Sequence, residues 1–346
     1  MRLKTCLSNW AWIASVISAL GLTSTAAAQD EDLLEDGSVL QSGSSSSAAA
    51  REGAAFLLLP TGARASAMGG AVTAMRGWGE GVIWNPAGIA ALEGRRFLVN
   101  HSENAFDTKT DVLSLILPTE KFGTLGLTYY LVDFGKLDNT DDQGRVQGNI
   151  SFRNQEFLLT YATRLGGGLE GGVNYKLIQL IYRCDGLCPD QRSFTRTSHA
   201  FDFGLIYGDM GGLPLTVGGS IRHLGFALRG ETESDLLPTR VRVGAAYEAL
   251  SSFTADSVFT LILAVDVEDR VRGFGDPDVM VGSEFSVLHR FFLRAGYAFV
   301  DTGASGAALG LGLTYDWFFV DLSRGFDEIS SATGEESIQV SFGVIF

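Results

Sequence analysis

From residue 96 to the end of the chain, apolar residues alternate with small or polar ones at a spacing of two. That spacing most constrains the fold. A period of two marks extended strands with one greasy face, whereas a helix would repeat every three to four residues. Near the C-terminus, Ile338, Val340, Phe342, Val344 and Phe346 interleave with Gln339, Ser341, Gly343 and Ile345. Phe201, Phe203, Leu205 and Tyr207 alternate with Asp202, Gly204 and Ile206, and Phe259 to Val267 repeats the pattern. About fourteen strand-like segments follow, near 96–103, 110–118, 123–134, 151–164, 169–182, 199–208, 214–224, 239–249, 258–268, 278–287, 290–300, 305–315, 317–324 and 336–346.

Alternation alone also suits a soluble sandwich, so the connections have to decide. Tight turns are expected at Thr119–Phe122, Leu165–Gly168, Asp209–Leu213, Leu288–His289 and Asp316, with a longer one at Ser251–Ser257. Between them lie longer polar loops at Gly135–Ile150, Arg183–Ser198, Gly225–Pro238, Asp269–Pro277 and Gly325–Glu335. Short turns at one end and long loops at the other describe a transmembrane antiparallel β-barrel, an all-β fold. An even strand number leaves both of its ends in the periplasm. Aromatic residues suit two interfacial girdles: Tyr161, Tyr207, Tyr247, Phe291, Phe292, Tyr315 and Trp317 at the periplasmic end, and Tyr129, Tyr130, Phe134, Tyr182, Phe201 and Phe299 at the outer end. No later stretch reaches the roughly 18 consecutive apolar residues of a membrane helix. Gly is abundant (43 of 346) and Pro scarce (7), which favours strands.

The N-terminus indicates export. Arg2 and Lys4 precede an apolar run from Trp10 to Leu22, and Ala26–Ala28 offers a cleavage site, so residues 1–28 read as a cleaved signal peptide. Residues 29–53 read as a disordered acidic and Ser-rich linker, a flexible periplasmic tail. Residues 54–94 alternate too poorly to form wall. They are rich in small residues and are expected to fold back as a hatch inside a barrel formed by residues 95–346.

The run Phe56-Leu57-Leu58-Leu59-Pro60-Thr61-Gly62-Ala63-Arg64-Ala65-Ser66-Ala67-Met68-Gly69-Gly70-Ala71, followed by Trp84-Asn85-Pro86-Ala87-Gly88, resembles the N-terminal signature of PorV/PorQ-type outer-membrane proteins. These are relatives of the FadL-type transporters of hydrophobic compounds. The resemblance implies a fourteen-stranded barrel in the bacterial outer membrane with an internal hatch. It implies two alternative functions: binding or passing small hydrophobic solutes, or an accessory role in type IX protein secretion that binds partner proteins or cargo signals. The expected hatch or gate residues are Pro60, Arg64, Met68, Gly69, Gly70, Trp84, Asn85, Pro86 and Ala87. The motif also has a local logic: Pro86 biases Asn85 toward an extended backbone, from which the Asn85 side chain can turn back onto nearby backbone groups.

If the apolar residues face lipid, Lys176, Asp202, Arg222, Arg242, Asp266, Glu284, Arg294 and Asp321 point into the lumen. They suit either a polar path or a ladder of ion pairs bracing the barrel against its hatch. An apolar pocket could form near the outer end from loop and hatch residues, including Phe56 to Leu59. Cys184 and Cys188 are expected to pair as a disulfide in an outer loop. Of the dispersed histidines, only His101-Ser102-Glu103 forms a cluster, and neighbours on a strand face opposite ways. No catalytic motif, cofactor fingerprint or metal site is expected, so the chain does not read as an enzyme. Phe346 closes the last strand like the signal read by barrel-assembly machinery. Expected partners are that machinery, outer-membrane lipid, and a hydrophobic small molecule or secretion-system proteins. A net charge of −14 argues against nucleic acid.

Overall fold

The computed structural model describes residues 52–119, 121–187, 193–229, 234–250, 258–300, 305–327 and 337–346. The first seven strands are β1 (Arg96–Asn104), β2 (Thr108–Thr119), β3 (Gly123–Thr140), β4 (Val146–Gly166), β5 (Leu169–Gly186), β6 (Phe194–Tyr207) and β7 (Leu215–Gly225). A short separate ribbon follows, β8 (Leu228–Arg229) with β9 (Ser234–Asp235). Then come β10 (Arg240–Glu248), β11 (Phe259–Arg270), β12 (Asp278–Val287), β13 (Phe291–Phe299), β14 (Gly306–Tyr315), β15 (Phe318–Asp327) and β16 (Ile338–Ile345). The ribbon apart, these strands form one closed antiparallel barrel of fourteen. The ring closes between β1 and β16 in unbroken register, from Arg96 opposite Ile345 to Glu103 opposite Ile338. Beyond it, Arg95 and Phe346 exchange two backbone hydrogen bonds of 3.0 Å.

Parity sorts the side chains. Leu127, Leu159, Phe203, Leu205, Val243, Leu293 and Leu311 are exposed on the outside, while the polar residues between such positions are buried inside. A belt of exposed apolar side chains around a closed sheet is a lipid-facing surface. An ionised residue there would cost about 2–4 kcal/mol near the midplane, which is why charges fill the interior.

The structure corrects two expectations. Tyr130 (3% exposed) and Tyr182 (5%) turn inward, and Phe134 packs against an internal cluster, so none of the three belongs to a lipid girdle. The expected loops Gly135–Ile150 and Arg183–Ser198 are largely strand, because β3 to β6 run on beyond the neighbouring strands. A register shift between Asp133 and Lys136, at Gly135 with φ of 76°, breaks the alternation there and hides the continuation from sequence parity. Of the expected linker only Glu52 and Gly53 are described: Gly53 N–H donates to Leu236 O (2.8 Å), and Arg240 grips Glu52 at 2.9 and 3.1 Å at the long-hairpin end. The expected signal peptide lies outside the described residues.

Inside the barrel, the chain ahead of β1 forms a turn of 3-10 helix at Ala55–Leu58, α1 (Ala63–Ala67), α2 (Gly81–Trp84) and a second 3-10 turn at Pro86–Ile89. None of these pieces could hold together alone in water. Their stability comes from burial against the wall.

Candidate functional site in the barrel interior

The wall receives this hatch on inward-facing glycines. A Cβ on Gly172 would stand 2.4 Å from the Pro86 carbonyl carbon, and one on Gly204 would stand 1.9 Å from Asn85 Oδ1. The same holds for Gly218 against Thr73 O (2.4 Å), Gly282 against Met68 O (2.5 Å) and Gly296 against Met68 C (2.1 Å). Backbone therefore lies directly on backbone around much of the bore.

Each expected hatch residue has a definite contact. The Pro60 carbonyl accepts from Gln339 Nε2 at 3.1 Å, and Met68 and Ala87 are fully buried. Gly69 and Gly70 adopt φ of 62° and 86°, and the Gly70 carbonyl accepts from Arg242 Nη1 at 2.8 Å. Trp84 Nε1 donates to Thr61 O at 2.9 Å, with the Arg222 and Arg242 guanidiniums 5.2 and 5.0 Å from its ring. Asn85 is extended (φ −147°, ψ 107°), and its Oδ1 accepts from Ala87 N–H at 3.1 Å, capping the turn that Pro86 begins. Its Nδ2 donates to Thr73 O at 2.8 Å and reaches the wall at Leu205 O, 3.3 Å away.

The eight expected lumen charges are all buried. They gather into three groups. In the first, Lys176 Nζ lies 2.9 Å from both Glu156 and Asp202. In the second, Glu268 bridges Arg222 (2.5 Å) and Arg242 (2.8 Å), while Asp266 accepts from Val72 N–H, Thr73 N–H and Thr73 Oγ1 within 3.0 Å. In the third, Arg64 pairs with Glu284 (2.7 Å), which pairs with Arg294 (2.5 Å), which pairs with Asp321 (2.6 Å). Two groups therefore tie hatch to wall directly. A further tie, Arg76 to Glu170 at 2.6 Å, is also buried on the wall side. Such pairs are costly to break singly, since the partner left behind is a buried charge. The arrangement is a brace, not an open polar path. Strand parity also places Glu156, Glu170, Arg240 and Glu268 inward, none of them among the expected lumen charges.

Strand parity does not predict the inward place of His223. Asp202 on β6 faces two residues of β7, Arg222 and His223, at a β-bulge. Both are buried (4% and 1%), while Ile221 and Leu224 face lipid. His223 sits at φ of 58°, held by its N–H donating to Asp202 Oδ1 (2.8 Å) and by Thr239 Oγ1 donating to its carbonyl (3.0 Å). A bulge re-aims a side chain that regular alternation would send outward.

Above these charges lies an apolar cluster of Phe56, Leu57, Val112, Tyr130, Val132, Leu158 and Ile178, with Leu59, Phe134 and Leu180 packed against it. Phe56 stacks on Tyr130 at 5.9 Å and 13°, and Tyr130 OH donates to Phe56 O at 3.0 Å. On the same inward face the prolonged strands carry Phe152, Tyr182 and Phe194, with successive ring centroids 5.1 Å apart. Phe152 (40% exposed) and Phe194 (45%) are open to solvent on either side of buried Tyr182, and Leu180 and Ile178 continue from Tyr182 along β5, so an aromatic track connects to the cluster. Below the cluster, Leu57, Leu59, Trp84, Tyr130, Leu158, Lys176, Arg222 and His223 line a space about large enough for one water.

Elsewhere, His101 Nδ1 lies 2.7 Å from Asp111 Oδ1 on the outer surface, whereas Ser102 is buried on the opposite face. Cys184 is disulfide-bonded; its expected partner, Cys188, lies outside the described residues.

No protein-family model matches the sequence, and no curated protein matches it. Solved structures do match the fold. The toluene transporter TbuX of Ralstonia pickettii aligns with a TM-score of 0.56 at 10% identity, over 82% of this chain and 98% of that one. CymD, a monoaromatic hydrocarbon channel, aligns at 0.58 and 13% identity, over 84% and 98%. A FadL homologue of Pseudomonas aeruginosa aligns at 0.52 and 11%, over 83% and 98%. The chain is thus a fourteen-strand outer-membrane β-barrel of the FadL-like fold, with an N-terminal segment ahead of its strands.

Proposed function

We propose that the barrel takes up small apolar solutes at its outer face and conducts them toward the interior cluster. The observation that carries this reading is the continuity of the aromatic track with the cluster: from Tyr182, set between Phe152 and Phe194, Leu180 and Ile178 lead along β5 to Tyr130, while Arg196 beside this path stacks on Phe194 and is paired with Asp235 at 3.3 Å. Apolar surface arranged from an exposed rim to a buried end offers a solute steadily better shielding from water. TbuX and CymD, which share the fold, are a toluene transporter and a monoaromatic hydrocarbon channel. Their solute class is extended to this chain here.

The expected gate residues divide into two sets in this reading. Arg64 to Ala87 are clamped to the wall and act as a fixed plug. The turn Ala55–Leu58 and Pro60, held mainly by apolar packing, yield to the solute. An accessory role in type IX secretion has only the N-terminal motif behind it, and Asn85, Pro86 and Ala87 already have a structural role in docking the hatch.

Uptake of toluene into proteoliposomes tests the proposal. Replacing Tyr182 and Phe152 together by Ser should lower uptake about tenfold while leaving the barrel folded. Uptake no greater than in protein-free vesicles, or unchanged in the double variant, would sink it.

A further inference from the structure

The solute space ends on donors that the chain itself leaves unsatisfied. Lys176 Nζ lies 3.2 Å from His223 Nδ1. An ammonium has only hydrogens to offer, so Nδ1 must be the accepting nitrogen and the ring proton sits on Nε2. That Nε2–H is buried with no partner, as is Nε–H of the adjacent Arg222. Both side chains line the water-sized space beneath Leu57 and Leu59, together with Glu156, whose Oε1 is held by Lys176 Nζ at 2.9 Å. Buried donors without acceptors are rare because each forfeits its hydration. Here they occur on the two residues that a bulge and a left-handed backbone at His223 turn inward together.

Charge narrows what could satisfy them. The cations Lys176, Arg222 and Arg242 stand against four carboxylates, Glu156, Asp202, Asp266 and Glu268, all within ion-pairing distance. A carboxylate ligand would add negative charge where it already exceeds positive. A pure hydrocarbon would leave the donors bare.

We propose that this space recognises neutral, largely apolar solutes carrying one hydrogen-bond-accepting oxygen: an alcohol, a phenol or a ketone. The inference rests on the uptake reading above. The oxygen takes the water-sized space and accepts from His223 Nε2–H and Arg222 Nε–H, and the apolar body replaces Leu57 and Leu59 against Leu158 and Tyr130.

Calorimetric titration of the detergent-solubilised full-length protein with toluene, 4-methylphenol and 4-methylbenzoate tests it. The expected order is 4-methylphenol tightest, by about tenfold over toluene as one buried hydrogen bond provides, and 4-methylbenzoate weakest. His223→Asn isolates the donor. Asn tolerates the left-handed backbone, and its amide oxygen reaches about where Nδ1 stands, so Lys176 keeps its acceptor while the Nε2 donor is gone. That variant should bind toluene as before and lose the preference for 4-methylphenol. Equal binding of toluene and 4-methylphenol, with water merely filling the space, overturns the inference, as does tightest binding of 4-methylbenzoate. In either case toluene entering proteoliposomes leaves the uptake reading standing, whereas binding of none of the three, with no uptake, overturns both.

Discussion

Glu80 shows how one hatch side chain can set a pH dependence. Its Oε1 accepts from Ser341 Oγ, which itself accepts from Ala63 N–H and Asn100 Nδ2, each at 3.0 Å. Its Oε2 is buried without a partner, and a Cβ on Gly62 would stand 2.6 Å from it, at a backbone φ of 96° that favours glycine. Burial, reinforced by the nearby Asp321, pushes the Glu80 carboxyl up to about 7 against the opposing pull of Ser341, Arg294 and Arg64. Between the ordinary glutamate range and about pH 7, the folded protein then holds a proton that the unfolded chain has lost. Stability is highest below that window, falls as pH rises through it and stays lower above it. Glu80→Gln should flatten this slope and raise Tm at pH 8 by about 2–4 °C for each kcal/mol gained, read by thermal unfolding. A variant whose pH profile parallels that of the wild type would remove Glu80 from the account. None of these partners could be read from the sequence, since Ser341 lies 261 positions away. The Asn85-Pro86 turn could, because its physics is contained within three residues.

At the scale of elements, strand parity was legible because it depends only on which face meets lipid. The bulge at Arg222–His223 and the prolonged strands β3 to β6 were not. Both depend on register with a neighbour, and a register shift erases the pattern that parity needs. The glycines of the docking belt were visible only as an excess in composition, since nothing local distinguishes a glycine under the hatch from one in a turn. Their role gives a sharp comparison. Gly204→Ala or Gly296→Ala forces a methyl into Asn85 or the Met68 backbone, whereas Gly219→Ala meets nothing closer than 3.8 Å. Limited trypsin digestion should therefore cleave the hatch at Arg64 and Arg76 several-fold faster in the first two variants and at the wild-type rate in the third. Equal rates in all three would mean that the hatch is held by its ion pairs alone.

For the whole molecule, closure rests on the seam between β1 and β16, sealed at its end by the paired backbones of Arg95 and Phe346. Deleting Phe346 removes the last two hydrogen bonds and the terminal aromatic, leaving the hatch and the aromatic track intact. Membrane insertion should fall in a cell-fractionation assay, while the protein that does insert should take up solute normally. Loss of uptake per inserted molecule would instead give Phe346 a part in conduction. The strand number and the ring were legible from alternation and connection lengths, because lipid imposes them on every strand alike. The pairing of interior charges was not, because a lumen of mixed sign permits many ladders and only the threading of the hatch selects one.

The glycine belt bears on what this barrel is without its first forty described residues. At Gly172, Gly204, Gly218, Gly282 and Gly296 five strands bring no side chain to the bore, so the wall has gaps in its inner lining between the charges those same strands carry. The hatch fills those gaps as a single continuous thread, lying where side chains of β5, β6, β7, β12 and β13 would otherwise stand at the glycine positions. Barrel and plug are thus not container and contents. They are two parts of one interior layer, encoded in separate stretches of the chain, and neither has a finished surface until the other is in place.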